Sequence, residues 1–140
     1  NYERALRNAQ AAAEKLPTDP EIQYRLGVIQ YYLGHLEPAR QSLRKAATAG
    51  GQFTFVKDAT RRLAVIDIDP GKPDAANRDL LARAAREDPK DPVVMSRLAQ
   101  IDSREGNYPA AAERYESSLK VNVGDVQAML NLAELFSRGF

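Results

Sequence analysis

No cysteine occurs among the 140 residues, which excludes disulfides, thiolate zinc sites and a cysteine nucleophile. A single histidine, His35, stands beside Gly34; with no cysteine to join it, it forms neither a metal set nor a base for any of the serines. No apolar run approaches the roughly 20 residues that span a bilayer, so direct membrane insertion is not expected. The opening Asn1-Tyr2-Glu3-Arg4 is unlike a basic and then hydrophobic signal segment. Excess charge is missing too: 20 basic side chains against 19 acidic ones leave +1, too little for a broad nucleic-acid or polybasic membrane footprint.

Two local signals fail on inspection. Asp67-Ile68-Asp69-Pro70-Gly71 has a glycine at the third ligand position of a calcium loop, and no glutamate stands at the twelfth. Gly50-Gly51 lacks the Lys-Ser or Lys-Thr of a phosphate loop and reads as a helix stop with an added linker. Catalytic residues, metal ligands and cofactors are therefore expected to be none.

What is present is a hydrophobic share of 44% and a charged share of 28%, a composition that folds, and an internal repeat. Leu26-Gly27, Leu63-Ala64, Leu98-Ala99 and Leu132-Ala133 are four Leu-small pairs, followed two residues later by Ile29, Ile66, Ile101 and Leu135. Gly34, Gly71 and Gly106 each come eight residues after the leucine, where a helix of about four turns needs a residue tolerant of left-handed geometry to stop. After each glycine, Ala39, Ala76 or Asn77, and Ala111 are followed by Leu43, Leu81 and Tyr115, then by Ala46, Ala84 and Ser118. Spacings of three and four residues put these side chains on one helix face, with small ones where two helices approach most closely. Asp19-Pro20 and Asp91-Pro92 supply a cap and a first-turn proline at the expected helix starts, and Asn107 is expected to cap in the same way before Tyr108.

The register slips in one place. Ala12 to Leu26, Ala84 to Leu98 and Ser118 to Leu132 are each fourteen residues, but Ala46 to Leu63 is seventeen, which locates an insertion around Gly50-Gly51-Gln52-Phe53. Gly71 to Ala84 is thirteen residues where Gly34 to Ala46 and Gly106 to Ser118 are twelve, which locates another within residues 67–73.

On these residues the chain resembles the tetratricopeptide repeats, whose 34-residue unit carries Leu-Gly in its first helix and spaced alanines in its second. The resemblance implies an all-α fold, a right-handed α-solenoid of antiparallel helical hairpins with about eight helices. One array would cover residues 1–140: a second helix at 2–17, a repeat at 20–51, an irregular repeat at 52–89, a repeat at 92–123 and a first helix at 124–140. Because each hairpin must stack on a neighbour and neither end reads as a polar cap, a piece of a longer array is expected. The exposed apolar end helix, with Leu130, Leu132, Leu135 and Phe136, is a candidate for self-association.

Arrays resembling this one bind extended peptides or partner helices in a concave groove lined by their first helices. The resemblance places Tyr24, Arg25, Val28, Tyr31 and Tyr32 there, then Arg61, Arg62 and Val65, then Ser96, Arg97, Gln100, Ser103 and Arg104, and finally Leu130, Asn131 and Glu134. A groove that is aromatic and then basic suits another protein or peptide segment, acidic with an apolar anchor. A competing reading packs Tyr31 and Tyr32 against neighbouring helices and leaves the arginines solvating a helix face. The family's pocket for chaperone tail carboxylates is not expected, since Tyr24 and Val28 stand where its first lysine and asparagine would be. A protein-binding scaffold or adaptor is the function implied, with the Ala- and Arg-rich style of the repeats resembling bacterial envelope, secretion and exopolysaccharide-assembly proteins of the periplasm or cytoplasm. The alternatives are a regulatory domain of a larger enzyme and an RNA-binding helical repeat, the latter disfavoured by the near-neutral charge.

Overall fold

The computed structural model describes residues 1–50 and 53–139, Phe53 by its backbone alone. Gly51 and Gln52, the centre of the first insertion, lie outside the described residues. Eight helices and no strand are found among the described residues: α1 Tyr2–Lys15, α2 Pro20–Tyr32, α3 Leu36–Thr48, α4 Phe53–Ile66, α5 Ala75–Glu87, α6 Pro92–Arg104, α7 Tyr108–Val121 and α8 Val126–Ser137. None of them is long and apolar enough to cross a membrane. The chain divides into two compact units, Asn1–Asp67 and Ile68–Phe140. The boundary falls in the second insertion.

Local chemistry sets the helix ends. Asp19 and Asp91 cap α2 and α6, each Oδ1 accepting from two first-turn N–H groups at 2.9–3.1 Å, with proline in the first turn. α2 and α6 stop alike. Gly34 (φ 78°) and Gly106 (φ 81°) are left-handed, and the next residue's N–H reaches back to Gln30 or Asp102 at 2.9 and 2.8 Å. That is the pairing that satisfies carbonyls left over at a helix end.

Two expectations fail. Gly71 is not left-handed and stops no helix: α4 ends earlier, at Ile66, and Gly71 N–H donates to Asp69 Oδ1 at 2.8 Å in a turn. Pro70 accounts for this, since the residue before a proline is driven out of helical geometry. Asn107 stands at the cap position of α7, but its side chain makes no cap hydrogen bond.

In the first unit α2 and α3 form a tight hairpin, with α1 packed on α2 and α4 packed on α3. Ala39, Leu43 and Ala46 of α3 are buried. A Cβ placed on Gly27 would meet Leu43 side-chain atoms at 2.8 Å, so the small residue of the Leu-small pair is what allows the helices to close. In the second unit α6 and α7 form the corresponding hairpin, α5 packs on α6, and α8 packs on α7. Ala99, Ala111, Ala112, Tyr115, Ala128 and Leu135 make the core there. Buried serines tie both hairpins: Ser42 Oγ donates to Gln30 Oε1 at 2.8 Å, and Ser118 Oγ to the Pro92 carbonyl at 3.1 Å. The last helix leaves Val126, Met129, Leu130 and Phe136 exposed.

Candidate functional site

The first helices of the hairpins were the expected binding face, and the two units treat that face differently. In the first unit α2 and α4 bring Tyr24, Arg61 and Arg62 onto one carboxylate, Asp58. The Tyr24 hydroxyl donates to Asp58 Oδ2 at 2.6 Å, Arg62 Nε donates to the same oxygen at 2.8 Å, and an Arg61 guanidinium nitrogen lies 2.7 Å from Oδ1. The Arg62 guanidinium also lies over the rings of Tyr31 and Tyr32, 4.9 and 5.2 Å from their centroids. Tyr24 packs against Phe55 at 4.8 Å, and Tyr32 stacks on Tyr2 of α1 at 5.7 Å.

Titration follows from this geometry. Burial alone would raise the Asp58 carboxyl, but hydrogen bonds from Tyr24, Arg61 and Arg62 and the charge of Arg62 outweigh it and hold the group down at about 2. Burial, together with the bond to the Asp58 carboxylate and its charge, pushes the Tyr24 phenol up to about 12.

This arrangement corrects part of the expected groove. Tyr31 and Val65 have no exposed surface and Arg62 only 7%, so an incoming peptide has nothing to touch on the first two. The reason is packing: Tyr31 sits edge-on to Tyr32 beneath Arg62, as the competing reading allowed. Tyr24, Val28, Tyr32 and Arg61 are half-buried, and Arg25 is exposed and paired with Glu21 at 2.8 Å. Asp58 was missed by the sequence reading, although a signal existed. It lies three residues before Arg61 and four before Arg62, the spacing at which helix side chains meet.

In the second unit the same face opens into a cavity of about 550 Å³. Arg97, Gln100, Ser103 and Arg104 line it from α6, and Asn131, Glu134 and Leu135 line it from α8. Of the residues expected on these helices, Ser96 is half-buried and Leu130 exposed, and neither lines the cavity. Asp69, Pro70, Gly71, Tyr115 and Arg138 complete the wall and were not anticipated. Tyr115 belongs to the core face of α7, as its spacing indicated, but it also reaches the cavity; burial pushes its phenol up, partly offset by a hydrogen bond from Asn131, while the charges of Glu134 and Asp125 add to the rise. Arg138 pairs with Glu134 at 2.9 Å, so the acid on α8 is already matched. Arg114 of α7 holds Asp102 of α6 at 2.7 Å, which ties the two helices of the hairpin together.

Comparison with known proteins agrees with the helical repeat. The family model of the tetratricopeptide repeat matches residues 1–52 and 96–139, leaving out the stretch that carries the second insertion. No curated protein sequence matches the chain closely. Tetratricopeptide repeats generally mediate protein–protein interaction, binding proteins or peptides, and are typically non-catalytic scaffolds. With eight helices among the described residues, two Leu-small hairpins of common design and this match over most of its length, the chain belongs to the tetratricopeptide repeat family.

Proposed function

We propose that this chain is a protein-interaction scaffold or adaptor whose principal partner site is the cavity of the second unit, which takes an extended, acidic peptide carrying an apolar anchor. The observation that carries the reading is the convergence of Arg97, Gln100 and Arg104 of α6 with Asn131 and Glu134 of α8 on one cavity of about 550 Å³, a volume typical of ligand sites. Arginine suits planar carboxylates, which it can engage through two parallel hydrogen bonds. Tyr115 and Leu135, both buried in the core of the unit, close the floor of the cavity. Tyr24, Val28, Tyr32 and Arg61 form a smaller proposed patch in the first unit. A role inside a bacterial envelope, secretion or exopolysaccharide-assembly system is the finest part of the proposal and rests on the Ala- and Arg-rich style of the repeats alone.

The test is selection of displayed random peptides on the intact chain, followed by affinity measurement by fluorescence polarisation. Acidic peptides should be enriched, and their affinity should fall about tenfold or more for an Arg97→Glu, Arg104→Glu variant, the equivalent of about 1.4 kcal/mol. Unchanged affinity for that variant would remove the cavity as the recognition surface.

A further inference from the structure

The first unit contains a second, open cavity of about 530 Å³, lined by α1, α2 and α3. Its floor is the row Gln23, Leu26 and Gln30 of α2, three residues at spacings of three and four that share one helix face. That row is distinct from the one carrying Tyr24 and Val28. Both glutamines are more than nine-tenths buried, with 4% and 7% exposure.

Each buried amide is held by one half only. Gln23 Nε2 donates to the Pro17 carbonyl at 2.9 Å, and Gln30 Oε1 accepts from Ser42 Oγ at 2.8 Å. These bonds orient the amides in opposite senses, leaving Gln23 Oε1 as an acceptor and the Gln30 NH₂ as a donor. Among the described residues neither of these atoms has a hydrogen-bond partner, and both glutamines line the cavity. Neither atom is among the sealed, unpaired polar atoms of the described residues, so both keep accessible surface and remain open to a partner entering the cavity.

We propose that this cavity is a second binding site, for an extended segment of another polypeptide read through its main chain. The two amides are seven residues apart on α2, about 10 Å along the axis at roughly 1.5 Å per residue. That span equals about three residues of extended chain at roughly 3.3 Å each. A peptide laid along α2 would give an N–H to Gln23 and a C=O to Gln30, with an uncharged side chain between them resting on Leu26. Main-chain reading makes the site tolerant of partner sequence but intolerant of a missing N–H. The inference is independent of the arginine-lined cavity in the second unit.

The experiment repeats the random-peptide selection on the Arg97→Glu, Arg104→Glu background, so that peptides of the first proposal are not recovered. Peptides recovered there should bind about tenfold or more weakly to Ala13→Arg, which fills the mouth of the cavity from α1 without touching either amide. The same loss should follow Gln30→Met, and should follow N-methylation of a single peptide bond of the ligand. Circular dichroism melting confirms that each variant folds; should Gln30→Met not fold, Ala13→Arg and the N-methylated peptide still decide. Recovery of no peptide, or equal affinity for Ala13→Arg, overturns the proposal whatever the outcome for the other cavity.

Discussion

Two arginine pairs on equivalent helices meet different fates. On α4, Arg61 and Arg62 follow Asp58 by three and four residues, and all three lock with Tyr24 into a half-buried network. On α6, the residues four and three before Arg97 are Val93 and Val94, and those before Arg104 are Gln100 and Ile101, so neither arginine has an acid on its own helix at that reach. Arg97 and Arg104 line a cavity. An acid one turn before an arginine on the inner face of a helical repeat thus draws that arginine into an ion pair on its own helix. The aromatic neighbours reinforce the difference, since Tyr31 and Tyr32 hold the Arg62 guanidinium from the other side.

The comparison can be broken at several levels. Both units should lose most when their helix packing is emptied: Leu43→Ala on α3 and Leu81→Ala on α5, each at a fully buried leucine, should cost about 2–5 kcal/mol by urea unfolding. Asp58→Asn comes next, at about 2–3 kcal/mol, because it leaves two arginines facing an amide. The same variant has a pH signature. The folded Asp58 carboxyl sits at about 2, below its ordinary 3.8, so its contribution is complete above about pH 4 and disappears as the pH falls toward 2. Acid unfolding curves of the variant should be flatter across that window. Tyr24, raised to about 12 from 10, contributes fully below pH 10 and loses its contribution as pH rises through 12. Tyr24→Phe should remove that alkaline dependence.

A smaller effect is expected from copying the first unit's device into the second. Gln100→Glu places an acid four residues before Arg104, as Asp58 stands to Arg62. Acidic peptides should then bind about tenfold more weakly, about 1.4 kcal/mol, with little change in melting temperature; unaltered binding would deny that the preceding residue governs the arginine's role. Least of all should come Arg25→Ala. Its partner Glu21 is more than half exposed, and so is Arg25 itself, so the change should stay within about 0.5 kcal/mol in thermal melts.

Much of the architecture was readable along the chain because its causes are local. Asp-Pro starts, Gly34 and Gly106 as left-handed stops, and the three-and-four spacing of Ala39, Leu43 and Ala46 each depend on a few neighbouring residues. The errors were also local and have nameable causes: Pro70 ended α4 before Gly71 could, and Asn107 occupied a cap position without using its side chain. The binding face was harder to read. Tyr31 and Val65 lie on the correct helices, but whether a side chain on a helix faces a partner or a neighbouring helix depends on packing that spacing alone does not contain.

The sequence by itself determined the eight helices and the two close-packed hairpins, because caps, stops and small residues act within a turn or across a single seam. Only the tertiary structure decided which polar groups are spent. Asp58 reaches Tyr24 across 34 residues of chain, Ser42 and Pro17 each claim half of a buried glutamine amide, and Arg97 and Arg104 meet Asn131 and Glu134 around one cavity. Hydrogen bonds and charges are satisfied by whatever lies within about 3 Å, and proximity on that scale between distant segments exists only once the helices have packed.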